Sequence, residues 1–202
     1  MVEIRFHSLG GQGAVTLIRM LAIAGDKVGK EVQAFPFFGA ERRGAPVKSF
    51  ARFDDVRIDV RSQIYIPDFL VIMSPTLMEL GLSEGIKPET VILVNESLEE
   101  AKAKYKHINH TLLSVDATSI ALELNLEVEA MPLVNLPVFG AISYATDIVP
   151  LEVVTEVIRE TMGSKRMEVS MEAARRGFTS VMEVNGKAPV RRRKTATEAA
   201  RG

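Results

Sequence analysis

Residues 2–6 read as a buried strand that runs through His7-Ser8-Leu9 into Gly10-Gly11-Gln12-Gly13. Beyond the glycines, Leu17, Leu21, Ala24 and Val28 recur at helical spacing, which predicts an amphipathic helix with Gly29 as its C-terminal stop. A second strand is predicted at about 31–35, and residues 47–53 alternate as a third. Asp54-Asp55 reads as a turn from which 57–61 returns, so this pair is expected to be an antiparallel hairpin. After Pro67 the rhythm becomes strand (69–73), helix (76–82), strand (91–94), strand (112–115) and helix (118–124). Repeated strand–helix units imply parallel strands with right-handed crossovers.

The C-terminal third reads helical. Pro150 suits the first turn of a helix carrying Leu151, Val154 and Ile158, which Gly163 ends. Met167, Met171, Ala174, Phe178 and Val181 then repeat at intervals of four and three, with Glu172, Arg175 and Arg176 turned outward. Methionines in such a stripe read as packing residues, not as ligands. The expected class is α/β: three α/β/α layers, a mixed and mostly parallel sheet, and a helical C-terminus. One domain is expected over 1–184. Residues 185–202 read as a basic tail, flexible or wrapped on a partner, since 187–202 hold six Lys and Arg against Glu198 alone.

Composition narrows the chemistry. With 202 residues and 47% hydrophobic content the chain can bury a sizeable core, and a net charge of −1 gives no overall pull toward nucleic acid or anionic membrane. There is no cysteine, which excludes disulfides, thiolate catalysis and cysteine-ligated clusters on this chain. The N-terminus has no secretion-type apolar region, and the apolar runs are strand-sized, so a soluble, cytoplasmic protein is expected.

Glycines between a strand and a helix expose backbone N–H groups with the positive end of the helix dipole behind them, a ready anion site. Gly10, Gly11, Gln12 and Gly13 form such a loop. The dinucleotide fingerprint is incomplete, because Ser8 stands at its first glycine and Pro36-Phe37 replace the ribose-binding acid at the end of the second strand. No Lys-Ser or Lys-Thr follows the glycines, so a nucleotide-triphosphate loop is also absent. The connection at 35–46 concentrates Phe35, Phe37 and Phe38 beside Glu41, Arg42, Arg43 and Gly44, more aromatic and guanidinium surface than a plain turn requires. His107 and His110 have a metal-like spacing but no third ligand, and read as solvated. His7 reads as a satisfied strand-end histidine that could instead face a ligand. No Ser-His-Asp grouping or carboxylate pair stands out.

The two motifs together, Gly10-Gly11-Gln12-Gly13 after a strand and Ala34-Phe35-Pro36-Phe37-Phe38-Gly39-Ala40-Glu41-Arg42-Arg43-Gly44-Ala45-Pro46, resemble the gamma subunits of 2-oxoacid:ferredoxin oxidoreductases, closest in pattern to the pyruvate type. The resemblance covers about residues 1–183, including Asn95 and the Asp116-Ala117-Thr118 turn. Family members commonly carry Gly-Arg where this chain has Ser8-Leu9. The resemblance implies a non-catalytic subunit of an enzyme that converts a 2-oxoacid oxidatively to an acyl-CoA. Thiamine diphosphate, Mg and [4Fe-4S] clusters would belong to catalytic and iron–sulfur partner subunits, and electrons would pass to ferredoxin or another acceptor. Backbone N–H groups at the glycine loop and forked arginines both suit phosphates, so Gly10, Gly11, Gln12, Gly13, Glu41, Arg42, Arg43 and Gly44 are expected to form part of a shared coenzyme A site or to border the diphosphate end of thiamine in a neighbour, the alternative being that both loops only pack against the catalytic subunit. The competing readings are a stand-alone nucleotide-dependent oxidoreductase and a pure interaction module.

Overall fold

The computed structural model describes residues 1–37 and 44–185. Strand β1 (Val2–Leu9) extends beyond the predicted end because all of it pairs with β3 (Pro46–Asp54), from Val2 opposite Phe53 to Leu9 opposite Pro46. Helix α1 (Ala14–Lys27) buries Leu17, Leu21 and Ala24, and Gly29 follows it in the left-handed region (φ 74°). Strand β2 (Glu31–Phe37) lies antiparallel to β3 and forms the sheet edge. The hairpin is therefore β2–β3.

The predicted return strand at 57–61 is not formed. That stretch belongs to an irregular segment leading to β4 (Phe69–Ile72), and two nearly inaccessible arginines hold it against the sheet. Arg52 of β3 donates from Nη2 to the Ser62 carbonyl at 2.8 Å, and Arg5 of β1 donates from Nη1 to the Tyr65 carbonyl at 2.7 Å. Backbone acceptors that a strand would satisfy in a ladder are satisfied here by side chains.

Beyond β4 come a 3₁₀ turn (Pro75–Leu77), α2 (Met78–Ser83), β5 (Val91–Asn95), α3 (Leu98–Tyr105), β6 (Leu112–Val115) and α4 (Ala117–Glu123). A small ribbon of β7 (Glu127–Val128) and β8 (Met131–Pro132) leads to α5 (Asn135–Thr146), α6 (Leu151–Thr161), α7 (Ser164–Thr179) and β9 (Met182–Glu183). Pro150 stands at the N-cap of α6, one place before the predicted first-turn position. The seven-stranded sheet runs β2-β3-β1-β4-β5-β6-β9. Strands β1, β4, β5 and β6 are mutually parallel, while β3 and β9 join antiparallel. The three layers and the mixed sheet agree with the predicted class.

One sheet face buries Ile4, Phe6, Val71, Leu93 and Val115 against α1, α4, α5, α6 and α7. The other packs Leu70, Ile72, Ile92 and Val94 under α2 and α3. Helix α5, which the apolar pattern did not reveal, lies at the centre of the first layer. Ten of its twelve residues are buried, so it has no polar face to set a period. It crosses α7 with the two backbones touching. A β-carbon on Gly140 would stand 1.8 Å from the Ala174 carbonyl oxygen, and one on Gly177 2.0 Å from that of Pro137. Among the described residues, no helix is long and apolar enough to cross a membrane.

Candidate functional site

The carboxyl ends of β1, β4, β5 and β6 open on one edge of the sheet, where ligands settle in open α/β folds. The glycine loop leaves β1 there. Gly11 and Gly13 have φ of 101° and 82°, a region that favours glycine, and Gly13 is the N-cap of α1. The loop is braced from within. Gln12 turns its side chain back, accepting the Leu9 N–H at Oε1 (2.8 Å) and donating from Nε2 to the Met73 carbonyl (3.3 Å). Two of the four loop N–H groups are engaged: Gly10 donates to the Ala45 carbonyl (2.9 Å) and Gln12 to that of Leu9 (3.1 Å). Those of Gly11 and Gly13 have no partner among the described residues. The first turn of α1 contains no acidic residue and receives no side-chain cap, so its dipole is locally uncompensated.

The second motif meets the first at this edge. Gly44, itself left-handed at φ 76°, donates its N–H to the Gly10 carbonyl (3.1 Å). Together with the bond from Gly10 to Ala45, this ties the end of the 35–46 connection to the glycine loop. The predicted site residues Glu41, Arg42 and Arg43 lie outside the described residues, as does Phe38. Of the other phenylalanines, Phe35 packs on Phe50 with ring centroids 5.1 Å apart. Phe37 remains 42% exposed, with the Lys48 ammonium 5.4 Å from its ring centre. One ring thus completes the sheet face, and the other is presented outward at the edge.

Carboxamides line the rest of the edge. Asn95, at the end of β5, donates from Nδ2 to the Met73 carbonyl (2.8 Å) and the Thr118 hydroxyl (2.9 Å), and accepts the Thr118 N–H (3.1 Å). Asp116 caps α4 by accepting the Ser119 N–H and hydroxyl at 2.9 and 2.8 Å. Asn135, the first residue of α5, faces Gly13, and pattern reading missed it. The only signal was a polar residue within an otherwise apolar run.

The histidines are placed differently from the loops. His7 lies within β1 on the opposite sheet face, buried, with Nε2 unpartnered and 3.8 Å from a Glu84 carboxylate oxygen. The expected satisfied histidine is therefore corrected: Nε2 is buried without a hydrogen-bond partner among the described residues. Burial, aided by the Arg5 and Lys48 charges and opposed by Glu84, lowers its pKa to about 4, so it is neutral at neutral pH. A cavity of about 260 Å³ is lined by Arg5, Lys48, Phe50, Tyr65 and Glu84. Lys48 and Glu84 are paired there at 3.0 and 3.2 Å. His107 is exposed, and no three-residue grouping of metal-binding side chains occurs among the described residues. What the edge offers is anion recognition by backbone donors.

Comparison with known proteins agrees on the kind of chain this is. The family described as pyruvate ferredoxin/flavodoxin oxidoreductase matches residues 3–180. The chain is 45% identical over 185 residues to the pyruvate/ketoisovalerate oxidoreductases common subunit gamma of Thermococcus kodakarensis, spanning 90% of this chain and 98% of that one. It is 41% identical to the pyruvate synthase subunit PorC of Methanocaldococcus jannaschii, over 92% of this chain and all of the other. The crystal structure of pyruvate oxidoreductase subunit PORC from Thermotoga maritima superposes with a TM-score of 0.75 at 34% identity, covering 90% of this chain and 97% of that one.

Proposed function

This chain belongs to the pyruvate ferredoxin/flavodoxin oxidoreductase family, and from that premise we propose that it is a non-catalytic gamma subunit that helps to hold coenzyme A. The complex oxidatively decarboxylates a 2-oxoacid, and the acyl group leaves on coenzyme A. Thiamine diphosphate, Mg and the [4Fe-4S] clusters sit in partner subunits, which pass electrons to ferredoxin or a similar acceptor. A chain without cysteine supplies no thiolate to an iron–sulfur cluster, which fits that division of labour.

The observation that carries the coenzyme A reading is the tie between the two motifs, Gly10 to Ala45 and Gly44 to Gly10, at the carboxyl edge of β1. The N–H groups of Gly11 and Gly13 at the start of α1 suit one phosphate group. Glu41, Arg42 and Arg43 enter this reading from the sequence, the arginines as forked donors to a second phosphate. Gln12 serves by bracing the loop. The interaction-module reading draws on the outward face of Phe37, and the two roles are compatible at one edge.

Replacing Arg42 and Arg43 together by Gln in the assembled complex is expected to raise the apparent KM for coenzyme A about tenfold or more, the scale of losing charge-assisted hydrogen bonds. The KM for the 2-oxoacid should stay nearly constant. An assembled double variant with unchanged coenzyme A kinetics would reduce the loops to subunit contacts.

A further inference from the structure

The two faces of the sheet are covered unequally. On the face that carries Arg5 and Lys48, the apolar cluster under α2 and α3 takes no residue from β1, β2 or β3. The irregular segment before β4 stands in for a helix there, held by Arg5 and Arg52. Residues 57–61 have the alternation of a strand, yet the backbone N–H groups of 57–66 enter no ladder or turn among the described residues. The same segment turns large apolar side chains outward, with Tyr65 64% and Ile66 54% exposed.

These side chains form an arc around the cavity lined by Arg5, Lys48 and Glu84. Tyr65 is part of its wall. Phe37 adjoins it through Lys48, whose ammonium lies on the outward-facing ring. Ile66 stands beside the end of α2, within 4.0 Å of a β-carbon built on Gly85. Exposed aromatic and aliphatic side chains gathered round a recess are the usual centre of a protein interface, where Tyr and Phe are enriched.

The charge inside the recess is unbalanced. Arg5 is almost wholly inaccessible, donates only to backbone carbonyls and leaves Nε without a partner. The carboxylate of Glu84 is bonded to Lys48. Two cations therefore share one carboxylate in the lining, whereas buried charges are ordinarily paired.

We propose that this face docks a partner subunit of the complex, whose apolar side chains seat on Phe37, Tyr65 and Ile66 and whose carboxylate side chain enters the cavity beside Lys48. This rests on the subunit reading above and assigns it a surface separate from the glycine loop. The carboxylate offsets the Arg5 charge, and the apolar contacts exclude water around the pair, which strengthens the attraction. A small free anion would leave the exposed rings wet, so a protein surface suits the arc better.

The test is hydrogen–deuterium exchange of the full chain alone and within the purified complex. In the free chain the amides of 57–66 are expected to exchange close to the unprotected rate, since no backbone bond holds them. In the complex their exchange should slow about tenfold or more. Tyr65→Ser with Ile66→Ser should weaken assembly about tenfold or more, the scale of leaving two apolar side chains unburied. The free variant should unfold within a few degrees of the wild type, because both positions are exposed. Lys48→Glu should weaken assembly comparably, and Lys48→Arg should assemble like the wild type. Unchanged assembly in the serine pair or in Lys48→Glu overturns the proposal. Exchange on the wild type decides the matter if a variant fails to fold. A complex in which 57–66 exchanges as fast as in the free chain overturns this inference and leaves the subunit reading standing. Protection in a self-associated free chain gives the face to a second copy and likewise overturns it. A chain that joins no complex overturns both.

Discussion

A Gly140→Ala chain is expected to unfold about 10 °C below the wild type. The added methyl carbon would lie 1.8 Å from the Ala174 carbonyl oxygen, 2.7 Å from its carbonyl carbon and 2.9 Å from the Phe178 nitrogen. All three are backbone atoms of α7, so no rotamer change relieves the clash. The helices must separate, and the buried faces of α5 and α7 lose contact along their crossing. Overpacking a core commonly costs about 1–3 kcal/mol, and a backbone obstruction exceeds that, so about 3–5 kcal/mol is expected. For a chain of this size each kcal/mol moves the midpoint by about 2–4 °C. Gly163→Ala is the matched control, since a β-carbon there meets nothing within 4 Å. It should stay within about 0.5 kcal/mol of the wild type. Equal stabilities for the two variants in thermal and denaturant unfolding would show that the close crossing is wrong.

Arg5→Met should cost about as much, through a different mechanism. Arg5 is almost wholly inaccessible, and burial holds its pKa below the usual arginine range, with Glu84 opposing. Its Nη1 donates to the carbonyls of Tyr65 (2.7 Å) and Glu84 (3.3 Å), and its Nη2 to those of Gly81 (2.8 Å) and Gly85 (2.9 Å). One guanidinium thereby fastens the segment before β4 and the end of α2 to the sheet. Methionine fills similar volume and supplies no donor, leaving these carbonyls unsatisfied where water reaches them poorly. A loss of about 3–5 kcal/mol is expected. Trypsin should also cut faster at the exposed Arg57 and Arg61, because their segment loses its anchor. Unchanged stability together with unchanged cleavage would contradict this account.

The two arginines also explain where pattern reading failed. Residues 57–61 alternate polar and apolar side chains as a strand does, yet their segment is held by side chains of other strands, which no local pattern reveals. Helix α5 was invisible for the opposite reason, since a helix buried nearly all round has no stripe and Pro137 and Gly140 weaken its local preference. The parallel strands, α1, α6 and α7 were legible because each buries a single face or sits as a short apolar run between turns. At the site, Gly11, Gly13 and Gly44 announced themselves, since backbone at positive φ favours glycine. Asn135 did not, because its meaning depends on a contact with Gly13 that only the packing of α5 against α1 creates.

The central claim is that this chain acts as one subunit of a larger 2-oxoacid oxidoreductase. Its most direct test is purification of the chain from its native source under non-denaturing conditions, followed by assay of the complex and of the separated chain. The expected result is co-purification with larger subunits, the visible absorption of iron–sulfur clusters, and reduction of an acceptor that requires both a 2-oxoacid and coenzyme A. The separated chain should show neither the absorption nor the reaction. A chain that purifies without partners, or that oxidises a 2-oxoacid by itself, would contradict the claim.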